Sequence, residues 1–172
     1  MTHAGTVTLM FTDLVNSTEL LHRAGDESAQ RIFEAHHKLL SDTVAAHSGH
    51  EVKWLGDGLM VAFPSAADAV RCAIAMQQGA RRPTAGERLS LRVGLHVGDA
   101  LEKESDYFGT PVVVARRLCE RATSGQILYS ALVAGLLARL ETARSYAVKP
   151  VAIARAHTPR TKRRNQRIRY CS

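Results

Sequence analysis

Apolar positions follow two periods along this chain. Thr6–Thr12 (TVTLMFT) is a nearly unbroken apolar and β-branched run, which predicts a strand central in its sheet. Glu51–Leu55 and Leu59–Phe63 are shorter runs of the same kind, and Gly56-Asp57-Gly58 between them predicts a β-hairpin. Leu89–Leu101 alternates apolar with polar residues, with Gly94 and Gly98 marking bulges or points of close approach, and Gln126–Tyr129 is a short strand. Elsewhere the period is helical. Asn16-Ser17-Thr18-Glu19 starts a short helix to about Ala24. Ala29, Ile32, Phe33, Leu39, Leu40 and Val44 form a stripe along Glu27–His47, which Gly49 ends. Ala66, Ala69, Val70, Ala73 and Ile74 do the same after Pro64-Ser65, as do Pro111, Ala115, Leu118, Cys119 and Ala122 on the next helix. Ala131–Leu140 is a short final helix.

The predicted order is β-α-α-β-β-α-β-α-β-α, with Gly79–Arg88 and Glu102–Thr110 as polar connections. A hairpin at its centre breaks the alternation that a doubly wound parallel sheet requires. The expected class is α+β, with a mainly antiparallel sheet flanked by helices. Residues 1–146 form one domain in this reading. Beyond Tyr146 the periodicity fades, so 147–172 is expected to be a basic, disordered tail.

Composition narrows the classes. A chain of 172 residues suits one domain with a sizeable core. Its net charge of +7 is local: seven of the 23 Lys and Arg residues fall in 155–172, which has no acid, so 1–154 carries 16 bases against 16 acids. A nucleic-acid-coating surface is not indicated, and a nucleic-acid arm would rest on the tail alone. Cys72, Cys119 and Cys171 lack CxxC spacing and read as thiols of a reducing compartment. No run approaches the roughly 18 apolar residues of a membrane span, and no signal-peptide pattern opens the chain, so the expected location is cytoplasmic without membrane contact.

Candidate chemistry sits at strand ends. Asp13 closes the first strand in FTDLVNST, and Asp57 lies at the hairpin turn in KWLGDGLMVAF. Two carboxylates delivered this way suit a Mg²⁺ or Mn²⁺ ion carrying a triphosphate, since such ions take few hard oxygen ligands and leave room for phosphate and water. Backbone N–H groups of Leu14, Val15, Asn16 and Ser17 stand at a helix start, where phosphates bind. Taken singly, Asp13 also reads as a helix cap and Asp57 as a turn residue. The histidines His22, His36, His37, His47 and His50 lack a metal-ligand pattern and read as helix-surface residues, while Trp54 packs the core or an interface. There is no P-loop, HExxH or GxSxG motif.

FTDLVNST, KWLGDGLMVAF, LRVGLHVGDA and DYFGTPVVVARRLCERATSGQI, in this order and spacing, resemble the catalytic domain of the class III nucleotidyl (adenylyl/guanylyl) cyclases over about Thr6 to Tyr129. The resemblance implies a ferredoxin-like βαββαβ core and a head-to-tail homodimer with active sites shared between chains. It implies two divalent cations, Mg²⁺ or Mn²⁺, at Asp13, Leu14 and Asp57. Lys53 and Asp106 match the pair that reads the purine, a combination that suits ATP. Arg117 matches the arginine that steadies triphosphate charge, and Arg116 is a candidate substrate contact in place of the polar group that Val113 lacks. Without the family, Lys53 reads as a solvated strand lysine and Arg116 and Arg117 as a charged helix face. Two positions depart from the family pattern. Val113 stands where an asparagine is expected four residues before the arginine, and nothing after Leu140 matches the family's Lys-Gly segment. The implied function is conversion of ATP to 3′,5′-cyclic AMP and pyrophosphate; the alternative is a weak or inactive cyclase-like nucleotide-binding or regulatory domain.

Overall fold

A computed structural model of the chain describes residues 3–83, 86–141 and 153–156. Strand β1 (His3–Leu14) leads through α1 (Ser17–Ala24) and α2 (Asp26–Ala46) to the hairpin of β2 (His50–Leu55) and β3 (Gly58–Phe63). Helix α3 (Ala66–Ala80) returns the chain to β4 (Leu91–Lys103), which turns into β5 (Asp106–Phe108). Then follow α4 (Thr110–Arg121), β6 (Ile127–Ser130), α5 (Ala131–Glu141) and β7 (Ile153–Ala156).

The strands form one sheet in the order β2-β3-β1-β4-β6-β7, with β5 paired to β4. The β1/β3, β1/β4, β2/β3 and β4/β5 pairs are antiparallel, while β4/β6 and β6/β7 are parallel. The first four long strands, ordered β2-β3-β1-β4 and joined βαββαβ, are the ferredoxin-like core that the family resemblance implied. Strand parity assigns the faces. Met10 and Leu14 of β1 and Leu59, Val61 and Phe63 of β3 pack with Leu20, Ile32, Leu40, Val70 and Val133, so α1, α2, α3 and α5 cover one face. Leu9, Phe11, Met60 and Ala62 point the other way, towards Ala115 and Cys119 of α4. Residues such as Ile32, Leu40 and Phe63 are at most 2% exposed, and each buried side chain of this size contributes about 1.5–3 kcal/mol. The exposed Arg31–Glu27 and Lys38–Asp42 pairs of α2 contribute about 0.3–0.5 kcal/mol each. Helix α2 is therefore held by its apolar stripe.

Gly94 is a point of close approach. A Cβ there would lie 2.1 Å from the Cys119 backbone nitrogen and 2.4 Å from the Ala115 carbonyl oxygen, so α4 can rest on β4 only because the side chain is missing.

Two segments differ from the sequence-based expectation. Glu102–Thr110, expected as an irregular connection, contains β5. Lys103 pairs with Asp106 across a two-residue turn, Glu104-Ser105, whose φ values of 53° and 62° are both left-handed. That is the backbone of a tight hairpin turn, made here without the Asn or Gly that signals one. Ile153–Ala156, placed in the expected tail, forms β7 beside β6, whose outer edge offers unpaired backbone groups. The domain boundary expected at 146, and the rest of the tail, lie outside the described residues.

Candidate active site

Asp13 is set at the end of β1 by a long antiparallel register with β4, in which it stands opposite Arg92. Arg92 Nε donates to Asp13 Oδ2 at 2.6 Å, and a terminal guanidinium nitrogen contacts the same oxygen. The hydrogen bond to Asp13 is the main cause holding the Arg92 guanidinium above its ordinary value, and the charge of Asp57 adds to it. Arg92 thus lies within the field of both carboxylates.

Asp57 is brought to Asp13 by a missing side chain. The β2–β3 loop is Gly56-Asp57, closed by the Leu55–Gly58 pair, with Gly56 at φ 69°. A Cβ on Gly58 would sit 2.3 Å from the Thr12 carbonyl oxygen and 3.6 Å from the Asp13 Cα. No other residue fits so close to β1. Thr12 Oγ1 also accepts from the Leu59 amide at 3.1 Å, which fixes the hairpin against the end of β1. The two aspartates predicted from separate motifs therefore stand at one end of the sheet.

Lys53 and Asp106 meet as a second pair. Lys53 Nζ donates to Asp106 Oδ2 at 2.5 Å, and the Tyr107 amide donates to Oδ1 at 2.8 Å. The bond from Lys53 is the main cause lowering the Asp106 carboxyl below its ordinary value. A ladder shift between Glu51 and Lys53 sets the strand's phase here.

Arg116 and Arg117 are exposed on α4 and behave differently. Arg116 Nε donates to Glu120 at 3.1 Å, one turn along the same helix, whereas the Arg117 side chain makes no hydrogen bond or ion pair among the described residues. Val113, at 47% exposed, shares the outer side of α4 with Arg117, opposite buried Ala115 and Leu118.

The amides expected to receive phosphate need one correction. Val15 N–H donates to the Ser90 carbonyl at 2.8 Å and is committed there, and Leu14 lies within the β1–β4 ladder. Asn16, at φ 60°, is the N-cap of α1 without a side-chain cap bond. The open donors are those of α1's first turn, beginning at Ser17.

Among the described residues no group of three or more His, Cys, Asp or Glu could hold a metal ion. The carboxylate oxygens of Asp13 and Asp57 are donors of the hard type that Mg²⁺ or Mn²⁺ takes, with water and phosphate completing the set. Cys72 and Cys119 are buried, and burial pushes both thiols up to about 12, so neither is a nucleophile. A cavity of about 260 Å³, lined by Gly5, Val7, His50, Ala100 and Tyr107 among others, includes none of the predicted site residues.

Sequence reasoning missed two residues. Arg92 occupies the polar phase of β4, but its partner depends on a register that the sequence does not display. His36, read as a surface residue, is fully buried and reaches the Asp57 carbonyl at 3.3 Å. Its signal was visible: it falls in phase with Ala29, Ile32, Leu40 and Val44.

The sequence profile of the adenylate and guanylate cyclase catalytic domain matches residues 1–161. The chain is 34% identical over 131 residues to the serine/threonine-protein kinase pkn2 of Myxococcus xanthus, covering 74% of this chain and 16% of that protein. It is 34% identical over 126 residues to putative adenylate cyclase 3 of Rhizobium meliloti, covering 71% of this chain and 22% of the relative. The fold superposes on the crystal structure of the adenylyl cyclase CyaB from P. aeruginosa with a TM-score of 0.71 and 26% identity, over 81% of this chain and 84% of the other. The chain spans less than half the length of the first curated relatives it matches. Among the described residues no helix is long and apolar enough to cross a membrane.

Proposed function

This chain belongs to the adenylate and guanylate cyclase catalytic domain family, and from that premise we propose that it converts ATP to 3′,5′-cyclic AMP and pyrophosphate at sites shared by two copies. The observation that carries the reading is the close approach of Gly58 to the Thr12–Asp13 backbone, which brings the turn bearing Asp57 to the strand end bearing Asp13. Asp13 and Asp57, with the Leu14 backbone, would hold two divalent cations, which when bound supply activation of the attacking hydroxyl and neutralisation of the leaving pyrophosphate. In the reaction the ribose O3′ bonds to the α-phosphorus, the bond from that phosphorus to the bridging oxygen breaks, and the hydroxyl proton passes to water.

The chain's own groups divide the remaining work. Arg92, held on Asp13 through Nε and one terminal nitrogen, has its other terminal nitrogen to turn towards a phosphate oxygen. The first-turn amides of α1 add donors on the same side. Lys53 and Asp106 offer one donor and one acceptor, the complement of adenine's ring nitrogen and exocyclic amine. Their side chains are 41% and 29% exposed, and a pair so exposed contributes about 0–1 kcal/mol, little enough to exchange for hydrogen bonds to a base.

Arg117 is suited to transition-state charge because no described residue of its own chain neutralises it. That is also the support for a shared site, in which Asp13 and Asp57 of one chain face Lys53, Asp106 and Arg117 of another. Exposed Leu101 and Phe108, a cross-strand pair on β4–β5, and Val113 on α4 give such an interface apolar surface.

Purine choice is testable directly. The Lys53→Glu, Asp106→Cys double variant is expected to shift the ATP-to-GTP ratio of kcat/KM by about 10²-fold towards GTP, the scale of losing complementary polar contacts. An unchanged ratio in a folded variant would place purine reading elsewhere. A second reading, nucleotide binding without useful turnover, is favoured by one observation: Val113 brings no polar group to the side of α4 that carries Arg117. Calorimetry showing ATP binding with no product would select it.

A further inference from the structure

Helix α2 carries one residue its packing does not explain. Its buried stripe is Ala29, Ile32, His36, Leu40 and Val44, and a leucine at 36 would complete it. The histidine there is 0% exposed. Its Nδ1 is buried with no hydrogen-bond partner, and burial lowers the ring's pKa. A buried ring nitrogen without a partner is destabilising, so stability alone does not account for the residue.

What the ring reaches is the turn that carries Asp57. His36 Nε2 lies 3.3 Å from the Asp57 carbonyl oxygen. A carbonyl only accepts, so Nε2 holds the proton and the bare nitrogen is Nδ1. The neighbouring ring repeats the attachment on β2: His37 stacks on Trp54, with centroids 3.9 Å apart and planes 25° from parallel. Helix α2 therefore grips the β2–β3 hairpin at two places, one just before the turn and one within it.

We propose that His36 is a positioning residue for the metal-binding turn, its Nε2–H fixing the Asp57 backbone so that the carboxylate faces Asp13. The assignment rests on the reading of Asp57 as a metal ligand. Without the donor the Asp57 peptide is free to rotate, and the carboxylate loses its fixed direction while the apolar core around position 36 stays filled.

The test compares the full chain with His36→Leu and His36→Gln; glutamine can place an amide N–H close to where Nε2 stands. Mn²⁺ binding is read from the electron paramagnetic resonance of free Mn²⁺ without nucleotide, so that no triphosphate competes for the metal and no turnover occurs. His36→Leu is expected to weaken Mn²⁺ binding by about fivefold to tenfold, the range of one hydrogen bond, with a melting temperature equal to or above that of the parent. His36→Gln is expected to restore binding to within about twofold to threefold, a residual of a few tenths of that bond. Equal Mn²⁺ binding by the parent and His36→Leu would overturn the proposal, as would His36→Gln binding as weakly as His36→Leu. If the parent binds no Mn²⁺, the reading of Asp57 as a ligand fails first and this assignment falls with it. Should the leucine variant not fold, long-range ¹⁵N–¹H spectra of the parent decide: a proton on His36 Nε2 supports the proposal, and one on Nδ1 overturns it.

Discussion

Asp13→Ala is expected to lower cyclic nucleotide formation by at least about 10³-fold, equivalent to about 4 kcal/mol of transition-state stabilisation. Asp13 is placed to do two things at once. In the proposed site it gives an oxygen ligand at the end of β1, and its Oδ2 orients the Arg92 guanidinium on the neighbouring strand. Alanine removes the ligand and releases the arginine together. The cost to folding is small by comparison. The Arg92 and Asp13 side chains are 37% and 30% exposed, and an ion pair so open to water contributes about 1 kcal/mol or less. Activity should therefore collapse while the melting temperature stays within a few degrees, about the shift that 1 kcal/mol produces in a domain of this size. Product chromatography beside a thermal melt separates the two. A variant keeping more than a tenth of parent activity would remove Asp13 from the metal site.

Arg117→Ala carries the second large effect, a loss of about 10²–10³-fold, the usual result of deleting one preorganised donor to developing charge. Its side chain is exposed and has no partner among the described residues, so the substitution should leave stability unchanged. Its particular value is in mixtures. If Asp13 and Arg117 of different chains complete one site, Asp13→Ala mixed with Arg117→Ala yields mixed dimers in which one site holds both defects and the other neither. Free reassortment of equal amounts makes about half the dimers mixed, so about a quarter of parent activity should return. An inert mixture, with exchange between chains confirmed, would contradict shared sites.

Much of this was legible in the sequence because it depends on local period. The apolar run of β1, the Gly-flanked Asp57 and the stripes of α2, α3 and α4 each announce an element within a few residues. The ordering of those elements around a central hairpin then excludes a doubly wound sheet and leads to the antiparallel core. Asp13 and Asp57 were visible as paired candidates for the same reason: each ends a strand-like run.

What the sequence hid depends on register and on turn backbone. That Asp13 faces Arg92 follows from the β1–β4 ladder, and a slip of one residue between the strands would put the two side chains on opposite faces. Strand β5 was hidden because Glu104 and Ser105 take left-handed conformations that their identities do not advertise. Ile153–Ala156 is too short to show a period, and its pairing with β6 is a tertiary event. His36 was misread for a different reason: histidine is polar on average, yet this one lies in phase with the buried stripe.

Two glycines set these approaches. Gly58 lets the hairpin close on β1 and so brings the Asp57 turn to the strand end that carries Asp13, while Gly94 lets α4, the helix of Arg117, settle on β4. Both act by omitting a side chain, and both stand inside motifs that otherwise look like ordinary strand sequence.

The most direct measurement is product formation from ATP and from GTP by the purified chain, with Mg²⁺ and with Mn²⁺, across a range of protein concentrations. Cyclase chemistry at shared sites predicts cyclic AMP and pyrophosphate in equal amounts, ATP preferred over GTP, and specific activity rising with protein concentration as chains pair. No cyclic nucleotide with either metal at any protein concentration would contradict it.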